Sequence, residues 1–156
     1  MMKWGSANWF DGSGNVISFD DIIKSVNTNS KIYEVHVGSD SQPVKEGVVF
    51  AVALCMYTQG RGAFYFVTRK TTNEKQFKNL GIRLQHESEL GTSLADEVRQ
   101  ITGVTDITVH ADVNSNPIFK SAKYSKRIQN FIKAMGFKCI IKPDSWAAWV
   151  ADKHAK

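Results

Sequence analysis

Asp40 closes the strand-like run Tyr33-Glu34-Val35-His36-Val37-Gly38-Ser39, and Asp112 closes a second, Ile107-Thr108-Val109-His110-Ala111. Side chains alternate faces along a strand, so Asp40 shares a face with Gly38 and His36, and Asp112 shares one with His110 and Thr108. If the two strands are parallel neighbours, their C-terminal ends meet at the edge where open α/β sheets place ligands. Two carboxylates held together there repel one another unless a cation lies between them. Oxygen ligands of this kind suit Mg²⁺ or Mn²⁺, whereas zinc prefers nitrogen and sulfur.

Other chemistries find little support. Cys55 and Cys139 each lie in an apolar run with no partner cysteine nearby, which reads as two buried thiols. No Ser-His-Asp or Cys-His arrangement has a recognisable context, and no glycine-rich phosphate loop follows a strand. His36 and His110 share faces with the two aspartates and read as partly buried polar residues or as supports for them. His154, near the last residue, reads as solvent-facing, with a proton shuttle as its functional alternative.

The elements that must position the aspartates can be read from periodicity and punctuation. The 156 residues, 42% hydrophobic and 22% charged, suit one ordinary domain with a single core. Residues 1–30 form an N-terminal extension ending in a short helix, for which Ser18 is the cap and Asp20 and Asp21 supply first-turn acids. Strands are expected over 32–39, 48–58 and 62–70, the last two joined through Gly60 and Gly62 as a hairpin. A helix over 74–102 follows, with Leu80, Leu84, Gly91, Leu94, Val98 and Ile101 at spacings of threes and fours and Gly103 as its stop. Then come a strand over 106–112, a helix over 117–135, a strand over 137–142 and a helix from Asp144 to the end. Hairpin-linked strands followed by helix-linked strands predict a mixed five-stranded sheet, three antiparallel strands plus two parallel, flanked by helices.

This β-β-β-α-β-α-β-α order, with aspartates ending its first and fourth strands, resembles the ribonuclease H-like superfamily over residues 31–156. More closely, Val37-Gly38-Ser39-Asp40-Ser41-Gln42, the hairpin Gly62-Ala63-Phe64, the stretch Thr92-Ser93-Leu94-Ala95-Asp96-Glu97-Val98 and the ending Lys142-Pro143-Asp144 with Ala151-Asp152-Lys153 resemble the YkuK family of ribonuclease H-like nucleases. The resemblance implies an acidic cluster holding two divalent ions, Mg²⁺ or Mn²⁺. Its ligands come from the first strand, the first long helix, the fourth strand and the last helix. Asp40 and Asp112 fit the strand positions. Glu87 is preferred on the helix because it shares the stripe of Leu84, Gly91, Leu94 and Val98, with Gly91 leaving room beside the ions. Glu89 and Glu97 are the alternatives, one on the opposite face and one nearly three turns on. For the last acid the candidates are Asp144, which an N-cap role would also explain, and Asp152, which has no capping role and is preferred.

The implied activity is hydrolysis of phosphodiester bonds in RNA, DNA or a hybrid by two metal ions. The sequence departs from ribonuclease H proper in having Ser41-Gln42, with no glycine, after the first aspartate, and in lacking a basic segment that would grip a hybrid. A net charge of +5 favours an acidic partner. Lys123, Lys126 and Lys133, flanked by Arg127, form the outward stripe of their helix and are the candidate phosphate contacts, with an ordinary solvated face as the alternative. Lys70, Lys75, Lys78 and Arg83 add charge near the start of the long helix. Trp4, Trp9, Trp146 and Trp149 are packing residues that could instead stack on bases. The rival function is a nucleic-acid-binding module that keeps the fold without turnover. An actin-like phosphotransferase is disfavoured by chain length. With no apolar run long enough to span a bilayer and no signal-peptide core, a soluble cytoplasmic protein is expected.

Overall fold

The computed structural model describes residues 4–156. Its elements are β1 (Trp9–Asp11), β2 (Val16–Ile17), α1 (Phe19–Asn29), β3 (Glu34–Val44), β4 (Gly47–Thr58), β5 (Gly62–Thr72), α2 (Leu80–Thr102), β6 (Ile107–Asn114), α3 (Ala122–Ala134), β7 (Lys138–Lys142) and α4 (Trp146–Ala155), with 3₁₀ turns at Trp4–Ser6 and Lys75–Lys78. All the strands join one mixed sheet in the order β2-β1-β5-β4-β3-β6-β7. The class is the expected one, but the sheet has seven strands, not five. The two extra strands are a small hairpin, β1 and β2, which pairs antiparallel with β5 through Trp9↔Thr68.

β4 lies at the centre because Val48-Val49-Phe50-Ala51-Val52-Ala53-Leu54-Cys55-Met56 is apolar on both faces. Alternation along this strand sorts two cores. Val48, Phe50, Val52, Leu54 and Met56 join the larger core, which contains α1, α2 and α3 residues together with Trp4 and Trp9. Ala51, Ala53 and Cys55 face the other way and meet Ala147, Ala151 and Ala155, one small residue per turn of α4. Small residues on both partners let α4 lie very close to the sheet.

Ser18 caps α1 through its side chain as expected, accepting from the Asp21 amide at 3.1 Å. The long helix starts later than its pattern predicts. Asn79 is its cap, accepting from the Ile82 amide, and residues 75–78 form a 3₁₀ turn that buries Phe77. Gly103 ends the helix in the left-handed conformation at φ 77°. Ile101, the last apolar position of the helical spacing, is 53% exposed. No helix among the described residues is long and apolar enough to cross a membrane.

Candidate active site

β3 and β6 are parallel neighbours, in register from Val35↔Ile107 to Gly38↔His110. Two residues further along each strand come Asp40 and Asp112, level with one another just beyond the last paired position. Neither aspartate ends its strand. β3 continues to Val44, paired with β4 down to Val44↔Gly47, and β6 continues to Asn114. The carboxylates therefore sit where two strands part, not where they stop. Beyond this point one edge of β3 is unpaired by β6, and Pro43, which has no amide proton to donate, is tolerated there.

The face assignments from alternation hold. Gly38 packs against α4, and His110 Nδ1 accepts from the Ala147 amide of α4 at 3.4 Å. His36 and His110 are both buried and joined Nδ1 to Nε2 at 2.9 Å, with Trp146 packed against both rings. Burial, reinforced by the neighbouring His36, pulls the His110 pKa down to about 3. These histidines are polar core residues under α4 that hold up the strands carrying the aspartates.

Glu87 arrives from the opposite layer. It is buried on α2 in line with Leu84, Gly91, Leu94 and Val98, and the divergence of β3 and β6 leaves a gap through which its carboxylate meets the aspartates. Asp40, Glu87 and Asp112 each offer an oxygen within 4.8 Å of the others. Ser39 and Ser41, one residue either side of Asp40 and so on the α2 face, fix it: Ser39 Oγ donates to the Glu87 carbonyl at 2.6 Å and Ser41 Oγ to Glu87 Oε2 at 2.5 Å. The room beside Gly91 is filled by Val109 and Ser39, so this glycine serves the close approach of α2 to the sheet and leaves no space for an ion.

Glu89 is exposed, on the far side of the helix, and Glu97 is partly buried well along it. Neither joins the cluster. Asp152, on α4, shares a hydrogen bond with Asp40 and is also paired with Lys156 at 3.2 Å. Asp144 is exposed on the turn before α4, where Ser145 takes the N-cap position, and it does not line the cleft. That cleft, about 670 Å³, has Asp40, Ser41, Asp112, Lys142 and Asp152 among its walls. Lys123, Lys126, Arg127 and Lys133 are exposed on α3 and line none of it. Sequence reasoning missed Lys142, whose ammonium is 2.6 Å from Asp112 Oδ1. The signal was present: a lysine ending the strand next to the one that carries Asp112.

Without a cation the electrostatics are unfavourable. Burial first, then the charge of Glu87 and the contacts with Asp112, push the Asp40 pKa far above the carboxylate range. Burial and the charge of Asp112 do the same to Glu87. Asp152 moves down, held chiefly by its hydrogen bond with Asp40. Among the described residues Glu87 Oε1 is buried with no hydrogen-bond partner, an arrangement that costs about 1–3 kcal/mol unless a ligand meets it. Three clustered carboxylates, one with an orphaned oxygen and two whose pKa values burial and mutual repulsion raise, fit a hard divalent ion.

A pH effect follows. Folded-state pKa values raised above those of the unfolded chain give stability that is full below the unfolded carboxyl pKa, near 4, and is lost as pH climbs towards the folded values. His110 acts in the opposite sense, losing stability only as pH falls below 6.5 towards 3. In EDTA the melting temperature should therefore drop between pH 7 and 9, more steeply in the wild type than in Asp40→Asn. Saturating Mg²⁺ should flatten the wild-type slope. Thermal melts across that range, with and without the ion, measure both.

A mixed sheet flanked by helices, with a carboxylate triad of two buried members and one partly buried where two parallel strands part, defines a ribonuclease H-like α/β protein whose acidic site fits a nuclease. The sequence profile described as Ribonuclease H-like matches residues 18–156, and the chain belongs to that family, the YkuK family of the sequence resemblance. Among solved structures, it is similar to RNase H1 from the halophilic archaeon Halobacterium salinarum NRC-1, at 16% identity over 77% of this chain and 92% of that one, with a TM-score of 0.38. No curated protein matches the chain.

Proposed function

We propose that the protein is a divalent-metal-dependent nuclease that hydrolyses phosphodiester bonds of nucleic acid with two ions, Mg²⁺ or Mn²⁺. The observation that carries this reading is the triad itself: three carboxylates drawn within 4.8 Å, one contributing a buried oxygen that nothing satisfies. Carboxylates whose pKa values are raised by burial and by one another, gathered in a cleft, mark a candidate functional site. Asp40, Glu87 and Asp112 hold the ions, and Asp152 completes the set from α4. When bound, the ions supply a water of lowered pKa for attack and stabilise the leaving 3′ oxygen.

The chain's own groups do the rest. Ser41 and Ser39 fix the Glu87 carboxylate and backbone, so this ligand does not have to be ordered when an ion enters. Lys142 neutralises Asp112 in the ion's absence and, once displaced, leaves a cation facing the scissile phosphate. Lys123, Lys126, Arg127 and Lys133 extend the positive field along the outside of α3. Residues 31–156 form the nuclease domain, and the N-terminal extension lengthens its sheet. Incubation of labelled RNA, DNA and hybrid with Mg²⁺ or Mn²⁺, using Asp40→Asn as the blank, tests the proposal; no cleavage of any of them sinks it.

The role of Lys142 predicts an unusual result. Because its ammonium competes for Asp112, Lys142→Met should tighten Mn²⁺ binding roughly fivefold, the equivalent of an ion pair worth about 1 kcal/mol, even as cleavage slows. Lys138→Met, on the same strand but paired with Asp106 at 2.9 Å, should leave the affinity unchanged. Calorimetric titration of both variants with Mn²⁺ decides the point.

A further inference from the structure

The acidic cleft is bordered by two large exposed rings. Trp149 of α4 is 59% exposed and Phe119, in the loop between β6 and α3, is 48% exposed, and both line the cleft that holds Asp40 and Asp112. Single exposed aromatics are ordinary on a protein surface. Two of them, supplied by different elements and converging on one set of carboxylates, are not. Neither ring belongs to the two hydrophobic clusters of the core, which hold Trp4, Trp9 and Trp146. Lys153 Nζ lies 3.9 Å from the Trp149 ring centroid, a cation–π contact that steadies the indole and places positive charge beside it.

Phe119 also belongs to a second groove, about 820 Å³, which adjoins the first and carries Lys120 and Lys123. No carboxylate is among the described residues lining it. A path thus leads from the acid cleft over an aromatic ring into a lysine-bearing groove. Its pattern of carboxylates, rings and ammonium groups matches a chain of phosphates with bases whose faces are free. In a duplex each base face is covered by its neighbours, so a protein ring can stack only on an unpaired base.

We propose that the substrate is single-stranded at the scissile phosphate, with one flanking base stacked on Phe119 and the other on Trp149, and with Lys120 and Lys123 following the phosphates beyond Phe119. This deepens the nuclease reading and rests on it.

The test is fluorescence anisotropy with a labelled 12-nucleotide single strand and the duplex of the same sequence, in Ca²⁺ at fixed ionic strength. The single strand is expected to bind at least tenfold more tightly. Phe119→Ala and Trp149→Ala should each weaken single-strand binding by about 5- to 150-fold, the range for losing one stacked base, and leave duplex binding unchanged. Lys120→Gln with Lys123→Gln should reduce the salt dependence by about 1.4 in log–log slope, about 0.7 for each lost phosphate contact. Both aromatic sites are exposed, and circular dichroism verifies that the variants fold. Equal or tighter binding of the duplex, or wild-type affinity in both aromatic variants, overturns the inference. Cleavage by the wild type that is lost in Asp40→Asn would still sustain the nuclease reading, so the two failures are distinguishable.

Discussion

Asp40→Asn or Asp112→Asn is expected to reduce divalent-ion-dependent cleavage of nucleic acid by roughly 10³-fold or more, while the metal-free protein becomes more stable. The two effects share one cause. Each ion contributes several kcal/mol of charge stabilisation in the transition state, and a loss of about 4 kcal/mol is about three powers of ten in rate. Asparagine keeps the shape of aspartate but cannot supply the anionic oxygen. In the absence of ions the same carboxylate is a burden: Asp40 is buried, beside Glu87, and in contact with Asp112 and Asp152. An amide of the same size relieves that repulsion. If the relief is about 1 kcal/mol, the melting temperature in EDTA rises by about 2–4 °C. Added Mg²⁺ should then reverse the ranking, because an ion at 100 times its Kd stabilises the wild type by about 2.7 kcal/mol and the variant hardly at all. Melting curves in EDTA and in Mg²⁺, run beside a cleavage assay, read all three effects. A destabilised Asp40→Asn in EDTA would show that this carboxylate serves the fold and not an ion; unchanged cleavage in both variants would refute the nuclease proposal.

The parts of this site that were legible in the sequence were those governed by local alternation. Asp40 falls on the face of Gly38 and His36, and Asp112 on the face of His110, because a strand has period two whatever it packs against. Glu87 could be chosen over Glu89 because a helix stripe of Leu84, Gly91, Leu94 and Val98 has to be buried. What alternation does not reveal is where a strand loses its neighbour. Ser41-Gln42-Pro43 reads as a strand end, yet β3 runs on through it because β4 still pairs with its other edge. The gap that admits Glu87 from the opposite layer follows from that divergence, which is tertiary. The β1–β2 hairpin was invisible for another reason: strands of three and two residues show no period. It is held by turn chemistry, with Asp11 Oδ1 accepting from the amides of Ser13 and Asn15 at 2.9 Å each, and by Trp9 in the core. Lys142 was overlooked because a lysine at a strand end normally faces solvent. Only the pairing of β7 beside β6 places it on Asp112.

The largest effect on stability should come from a residue with no side chain. A Cβ added at Gly38 would lie 2.1 Å from the Ala147 carbonyl carbon and 2.3 Å from both the Ala147 oxygen and the Ala148 nitrogen. These are backbone atoms of α4, so no rotamer change makes room. The helix has to withdraw by more than 1 Å to restore ordinary contact, lifting Ala147, Ala151 and Ala155 from Ala51, Ala53 and Cys55. Overpacking typically costs 1–3 kcal/mol even where side chains can adjust, so Gly38→Ala is expected to cost roughly 3 kcal/mol or more and lower the melting temperature by at least 6 °C. Gly5→Ala, where nothing lies within 4 Å of the added carbon, provides the neutral comparison. The substitution should also reach the site. Asp152 is carried on the withdrawn helix and loses its hydrogen bond with Asp40, and the His110 contact with the Ala147 amide lengthens. Mn²⁺ affinity should therefore fall in Gly38→Ala though no proposed ligand has been altered. Gly91→Ala makes the instructive contrast: its added carbon meets the Val109 Cγ1 at 3.3 Å and the Ser39 Oγ at 3.6 Å, side-chain atoms that can yield, so a smaller loss is expected. A Gly38→Ala protein that melts with the wild type would mean that α4 does not lie against β3 as described, and Asp152 would then lose its place beside Asp40.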